Sequence, residues 1–156
     1  MLTGKTALIT GSTSGIGLGI AEHFAQQGAN IVLNGMGDAI EIEATRSRLE
    51  ATYPVKVRFF GADMSQSAAI EAMFQSVNAE FGGVDILVNN AGIQFVAPVD
   101  EFPTPKWDAI LAINLTSAFH TTRLALPHMK KKQWGRIIQV ASAHALVALP
   151  FKSAYV

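Results

Sequence analysis

The stretch Thr6-Ala7-Leu8-Ile9-Thr10-Gly11-Ser12-Thr13-Ser14-Gly15-Ile16-Gly17 decides the fold. Its first half is a short apolar run, as a strand covered on both faces requires. Its second half sets Gly11, Gly15 and Gly17 just ahead of a helical pattern over 16–27 that stops at Gly28. Glycine permits a tight turn and lets the backbone come close to a ligand, while the helix N-terminus adds free N–H groups and the positive end of its dipole. Strand, glycine turn and helix in that order make a cradle for a pyrophosphate. Glycines also mark ordinary turns, so it is the place of this turn, behind the first strand, that carries the nucleotide-binding reading. No Gly-Lys-Ser/Thr follows, which excludes a P-loop.

Working outward, strands and helices alternate. Residues 31–33 form a second strand, and Asp38 can N-cap a helix that runs to Tyr53 and ends before Pro54. Residues 55–62 (VKVRFFGA) read as a third strand, 67–81 as an amphipathic helix closed by Gly82-Gly83, and 85–89 (DILVN) as a fourth strand. Thr104 as N-cap with Pro105 at the first helical position opens a helix to about Met129, with a kink or fray expected at Pro127. Residues 135–140 (GRIIQV) give a fifth strand. The expected architecture is α/β, a Rossmann-like doubly wound parallel sheet of order 3-2-1-4-5, with residues 1–156 as a single NAD(P)-binding domain.

Composition narrows the function classes. Hydrophobic residues make up 49% of the 156, and Lys+Arg and Asp+Glu are 12 each, so no basic excess calls for nucleic acid. The run Lys130-Lys131-Lys132 falls at the end of a helical pattern, where cations suit the dipole. The absence of cysteine removes disulfides and thiolate chemistry, and no metal site is expected. The first apolar stretch is too short for a signal core or a membrane span, so the expectation is a soluble cytoplasmic protein without membrane partners.

The glycine spacing is Gly-x3-Gly-x-Gly, and with Thr10 in front of it the chain resembles the short-chain dehydrogenase/reductase family. Further motifs follow in the family's order: Asn89-Asn90-Ala91-Gly92 behind the fourth strand, Asn114 in the long helix, Ser142 behind the fifth strand and Tyr155 thirteen positions later. The resemblance implies a dinucleotide held by Gly11, Thr13, Ser14, Gly15, Ile16, Gly17, Asp63, Met64, Asn90, Ala91, Gly92 and Tyr155, with Asp63 on the adenine amino group. From its position alone, Asp63 could equally cap the next helix, and Asn90 could merely hold a turn. The resemblance also implies Asn114, Ser142 and Tyr155 as catalytic residues, with Asn114 in a proton relay. A free phenol ionises near pH 10, so a tyrosine base at neutral pH needs positive charge nearby. The family places a lysine four residues after the tyrosine, at what would be position 159. The expectation is therefore a domain truncated at its C-terminal end, poorly soluble and inactive alone.

Local sequence narrows the resemblance. Asn34-Gly35-Met36-Gly37-Asp38, Asn90-Ala91-Gly92-Ile93-Gln94, Ser142-Ala143-His144 and Lys152-Ser153-Ala154-Tyr155 are similar to the bacterial D-3-hydroxybutyrate dehydrogenases. In that subfamily Gln94, His144 and Lys152, with Ser142 and Tyr155, would hold a short hydroxy acid by its carboxylate; a lysine and two neutral donors suit such an anion. The implied reaction interconverts D-3-hydroxybutyrate and acetoacetate. The alternatives are a 3-oxoacyl reductase or other small-alcohol dehydrogenase, and an inactive nucleotide-binding fragment. No Arg or Lys stands at 12–14 or 34–38 to meet a 2′-phosphate, which favours NAD over NADP, although Gly35 lies where many NAD-using relatives carry an acidic residue. The resemblance further implies a homotetramer.

Overall fold

A computed structural model of the chain describes residues 1–156. Its centre is a five-stranded parallel sheet in the expected order, β3-β2-β1-β4-β5. The strands are β1 (Thr6–Ile9), β2 (Asn30–Leu33), β3 (Val57–Phe59), β4 (Ile86–Asn89) and β5 (Arg136–Gln139). The helices are α1 (Gly15–Gln26), α2 (Ala39–Thr52), α3 (Ser67–Phe81), α4 (Thr104–Leu111) and α5 (Ser117–Lys132).

Side-chain alternation along the strands splits the interior into two cores. Ala7, Ile9, Ile31, Leu33, Ile86 and Val88 face one way, onto Ala21 and Ala25 of α1 and Leu49 of α2. Leu8, Val32 and Leu87 face the other way, onto Ile70, Phe74 and Val77 of α3 and Ala125 and Met129 of α5. Both faces of the inner strands are thus buried, which is why those strands read as continuous apolar runs. No helix is long and apolar enough to cross a membrane.

Local signals behave as expected where they are local. Asp38 Oδ1 accepts the N–H groups of Ile40 (2.9 Å) and Glu41 (3.1 Å), capping α2. Gly82 ends α3 with φ of +78°, a conformation that favours glycine.

Three expectations are corrected. The third strand is shorter than 55–62: it spans only Val57–Phe59, because Ala62 N–H turns back to the Phe60 carbonyl and the Asn34 amide holds both the Phe60 and Ala62 carbonyls. The helix after β4 begins one residue earlier than Thr104 as N-cap implies. Lys106 and Trp107 N–H groups both bond the Pro103 carbonyl, so Thr104 is the first helical residue and Pro105 follows it. That helix is not broken at Pro127, which sits within α5 on its exposed side while Ala125 and Met129 anchor the same turns to the sheet. Its irregularity lies earlier, in a π-helical turn over Ala112–Thr116 between α4 and α5.

Candidate active site

In an open sheet of this order, the connections from β1 and β4 leave in opposite directions, and the crevice between them opens at the strands' carboxyl ends. The glycine loop follows β1 there, and Asn90-Ala91-Gly92 follows β4. Thr10 and Asn90 lock the two together. Thr10 Oγ1 accepts the N–H groups of Asn90 and Ala91, each at 3.0 Å, and Asn90 Nδ2 donates to the carbonyls of Thr10 (3.0 Å) and Gly11 (2.9 Å). This approach requires glycine. A Cβ on Gly17 would stand 2.3 Å from the Gly11 carbonyl oxygen and 2.5 Å from Asn90 Nδ2, and one on Gly11 would stand 2.9 Å from Ala91 Cα.

The loop therefore brings α1's N-terminus to the crevice. Ser14 is its N-cap residue but makes no side-chain cap bond, and the N–H groups of Gly15, Ile16 and Gly17 have no partner within the chain. A dinucleotide's pyrophosphate fits such donors by charge and by the room the glycines leave. Ile16 projects its side chain from this turn, 70% exposed, onto the cleft wall.

A cleft of about 510 Å³ opens beside the turn. Asn90, Ala91, Gly92 and Gln94 line one side, and Val140, Ser142, Ala145 and Tyr155 the other, with Asn114 between them. Ser142 Oγ accepts the His144 N–H at 3.2 Å, capping the 3-10 turn Ala143–Ala145 and leaving the serine's own proton free to donate. The two walls are tied by Ala97 N–H, which donates to the Phe151 carbonyl at 2.9 Å; Phe151 itself has a left-handed φ of +64°.

Asn114 lies in the π-helical turn. Its Oδ1 accepts the Ile93 N–H and its Nδ2 donates to the Ile93 carbonyl, both at 2.9 Å. Both ends of the amide are therefore engaged in holding the segment behind β4, beside Gly92 and Gln94. A π-helical turn there is consistent with a functional position.

The three residues expected to clamp a carboxylate stand at or beside the cleft. Gln94 lines the cleft, whereas His144 and Lys152 are packed against Tyr155: the imidazole meets the phenol ring edge-on with centroids 6.2 Å apart, and Lys152 Nζ lies 5.8 Å from the ring centroid. Asp63 is exposed and does not cap α3 directly. Its Oδ1 accepts both the N–H and the hydroxyl of Ser65 at 2.8 Å, and these bonds hold its carboxyl below the usual range despite some desolvation. Met64 turns its side chain into the core, in the cluster that holds Ile70 and Phe74.

One residue escaped the sequence reading. Asn34 is fully buried at the end of β2. Its backbone N–H donates to Ser12 Oγ (3.1 Å), its carbonyl accepts the Ser12 N–H (2.7 Å), and its Nδ2 donates to the Phe60 and Ala62 carbonyls (3.0 Å each). It joins the glycine loop to the segment that carries Asp63. A polar residue closing a strand of apolar residues was the one available signal.

A glycine-turn nucleotide cradle at the carboxyl edge of a doubly wound sheet, opening onto a serine and a tyrosine, defines a dinucleotide-dependent oxidoreductase domain. The short chain dehydrogenase family model matches residues 5–156, and the chain belongs to that family, which uses nicotinamide cofactors. It is 63% identical to the D-beta-hydroxybutyrate dehydrogenase of Cupriavidus necator, over all of this chain and 60% of that protein. The D-beta-hydroxybutyrate dehydrogenase of Rhizobium meliloti is 57% identical, over 97% of this chain and 59% of the relative. The chain thus spans about three fifths of the length of these curated relatives. A crystal structure of a metagenomic short-chain oxidoreductase in complex with NADP superposes with a TM-score of 0.93 at 32% identity, covering 99% of this chain and 69% of that one.

Proposed function

We propose that the protein carrying these residues interconverts D-3-hydroxybutyrate and acetoacetate with NAD. The observation that carries this reading is the convergence of Gln94, Ser142 and Tyr155 on one cleft beside the glycine turn. The two relatives named for that substrate, at 63% and 57% identity, support the same choice.

The bound nicotinamide supplies a hydride acceptor for the alcohol or a hydride donor for the ketone. Gly15, Ile16 and Gly17 offer their N–H groups to its pyrophosphate, and Asn90 keeps the glycine loop against β4. Ser142, whose oxygen already accepts from His144, donates its proton to the substrate oxygen and fixes it beside Tyr155. The Tyr155 phenolic oxygen takes the alcohol's proton when ionised and, as the phenol, returns it to the ketone oxygen in the reverse direction. Lys152 and His144, seated against the Tyr155 ring, are the groups that would meet the substrate carboxylate together with Gln94. NAD rather than NADP is favoured because residues 12–14 and 34–38 carry no cation.

Assembly as a homotetramer is part of the proposal. Leu115 and Phe119, 66% and 62% exposed, supply apolar surface for such contacts to cover. The 156 residues alone are proposed to be inactive, since β5 has no neighbour on its outer edge and Ile138 and Val140 lie exposed there.

Lys152→Ala tests the substrate assignment. A charge-assisted bond contributes about 1.5–3 kcal/mol, so KM for hydroxybutyrate should rise about tenfold or more while NADH affinity stays unchanged. An unchanged KM, or better turnover of a hydroxyacyl thioester than of the free acid, would refute it.

A further inference from the structure

Gln94 reaches the cleft from the irregular segment behind β4, and three separate contacts hold that segment in place. On one side of Gln94, both backbone groups of Ile93 are bonded to the Asn114 amide. Further on, the Ala97 N–H donates to the Phe151 carbonyl. Between them Phe95, which is no part of the cleft lining, is half-buried in an aromatic stack. Its ring meets Phe102 edge-on, with centroids 5.6 Å apart, and Phe102 meets Trp107 edge-on at 6.2 Å. Lys106 Nζ lies 5.7 Å from the Phe95 ring centroid.

The sequence around α4 accounts for the stack. Pro103 is the N-cap residue and has no side-chain oxygen with which to cap the helix. Phe102 stands just before that cap, and Trp107 is the fourth helical residue. A hydrophobic pair at those two positions staples the entering chain to the first turn of a helix. Here the staple extends by one ring, to Phe95. Because α4 runs through the π-helical turn into Asn114, one continuous element grips the segment on both sides of Gln94, by rings at Phe95 and by an amide at Ile93. Edge-on aromatic pairs have a preferred geometry that aliphatic contacts lack, so the stack fixes where Phe95 sits as well as burying it.

We propose that Phe102 and Trp107 are positioning residues for substrate binding, acting through Phe95 on Gln94. Neither lines the cleft. Together they set where the Gln94 amide stands on the cleft wall, and with it the fit of a short acid's carboxylate. The inference rests on the 3-hydroxybutyrate reading above.

The test is steady-state kinetics of the purified full-length protein with D-3-hydroxybutyrate and NAD, for wild type, Gln94→Ala, Phe102→Leu, Phe102→Tyr, Trp107→Leu and Gln94→Ala combined with either leucine substitution. Gln94→Ala removes a bond to a charged carboxylate and should raise KM about tenfold or more. Phe102→Leu should raise KM about 3- to 10-fold by displacing the same amide, with kcat within about twofold of wild type and NADH affinity unchanged. Trp107→Leu, at the 38% exposed end of the stack, should act in the same direction, and carries the test if Phe102→Leu does not fold. Phe102→Tyr keeps the edge-on ring and should retain the wild-type KM. In the double variants KM should equal that of Gln94→Ala alone, because the amide through which the rings act is gone. A leucine effect that multiplies with that of Gln94→Ala, or an unchanged KM in both leucine variants, would overturn the positioning role while the substrate reading stands. If Gln94→Ala itself leaves KM unchanged, the substrate reading fails, and the positioning role with it.

Discussion

Replacing Asn34 probes whether the cofactor loops are held by one buried amide. In Asn34→Ala the Phe60 and Ala62 carbonyls lose donors at 3.0 Å, and the long 3.4 Å contact to the Gly11 N–H also goes. Each neutral bond contributes about 0.5–1.5 kcal/mol net, and leaving buried partners unpaired adds to the loss, so we expect roughly 3 kcal/mol. At ~2–4 °C per kcal/mol for a chain of this size, Tm falls by about 6–12 °C. Asn34→Asp is the sharper perturbation because it preserves shape. At pH 7 it faces two carbonyl oxygens with an anion in a fully buried site, so it should be less stable than the alanine variant. Burial against two carbonyl oxygens, with only the long Gly11 contact as donor, raises the aspartate's folded-state pKa above its unfolded value. Its contribution to stability is then present at low pH and lost as pH rises, so Asn34→Asp should recover relative to Asn34→Ala on acidification towards pH 4. Calorimetry at both pH values, with NADH titration at pH 7, reads all of this; NADH should bind more weakly to both variants. A Tm for Asn34→Ala within ~1 °C of wild type, or an aspartate variant more stable than the alanine one at pH 7, would refute the assigned amide geometry.

Two further outcomes are expected. Asp85, almost fully buried at the amino end of β4, is opposed by desolvation. Bonds from the Thr6 N–H (2.9 Å), His128 Nε2 (3.2 Å) and Lys132 Nζ (3.2 Å) outweigh that and hold its carboxyl below the usual range. Its stabilisation is therefore present above its ordinary pKa of 3.8 and lost as pH falls through the lower folded value, so Asp85→Asn should cost about 2 kcal/mol at neutral pH and blunt acid denaturation, as urea melts across pH 2–7 would show. Gly17→Ala drives a methyl to 2.3 Å from the Gly11 carbonyl oxygen, so it should destabilise by about 1–3 kcal/mol and abolish measurable NADH binding; retained binding would show that the loop can yield.

Much of the fold was legible in the sequence because its signals are local. The glycine turn after β1, the Asp38 cap and the Gly82 stop each act within a few residues, and apolar runs between helices suffice for a parallel sheet. The Ser142 and Tyr155 assignments needed the family resemblance, since an isolated hydroxyl carries no signature. Tertiary structure decided whatever depends on residues far apart in the chain. Asn34 meets Phe60 and Ala62 across 26 and 28 positions, Asn90 meets Thr10 across 80, and Asn114 meets Ile93 across 21. The same holds for the π-helical turn, which belongs with Asn114's paired bonds to Ile93, and for the early end of β3, which the Asn34 amide turns. It holds also for Lys152 and His144, which pack against the ring of Tyr155, itself a cleft residue. A sequence pattern records what a residue's immediate neighbours require of it. Which distant backbone group receives a buried side chain's hydrogen bond follows only from how the layers close on the sheet.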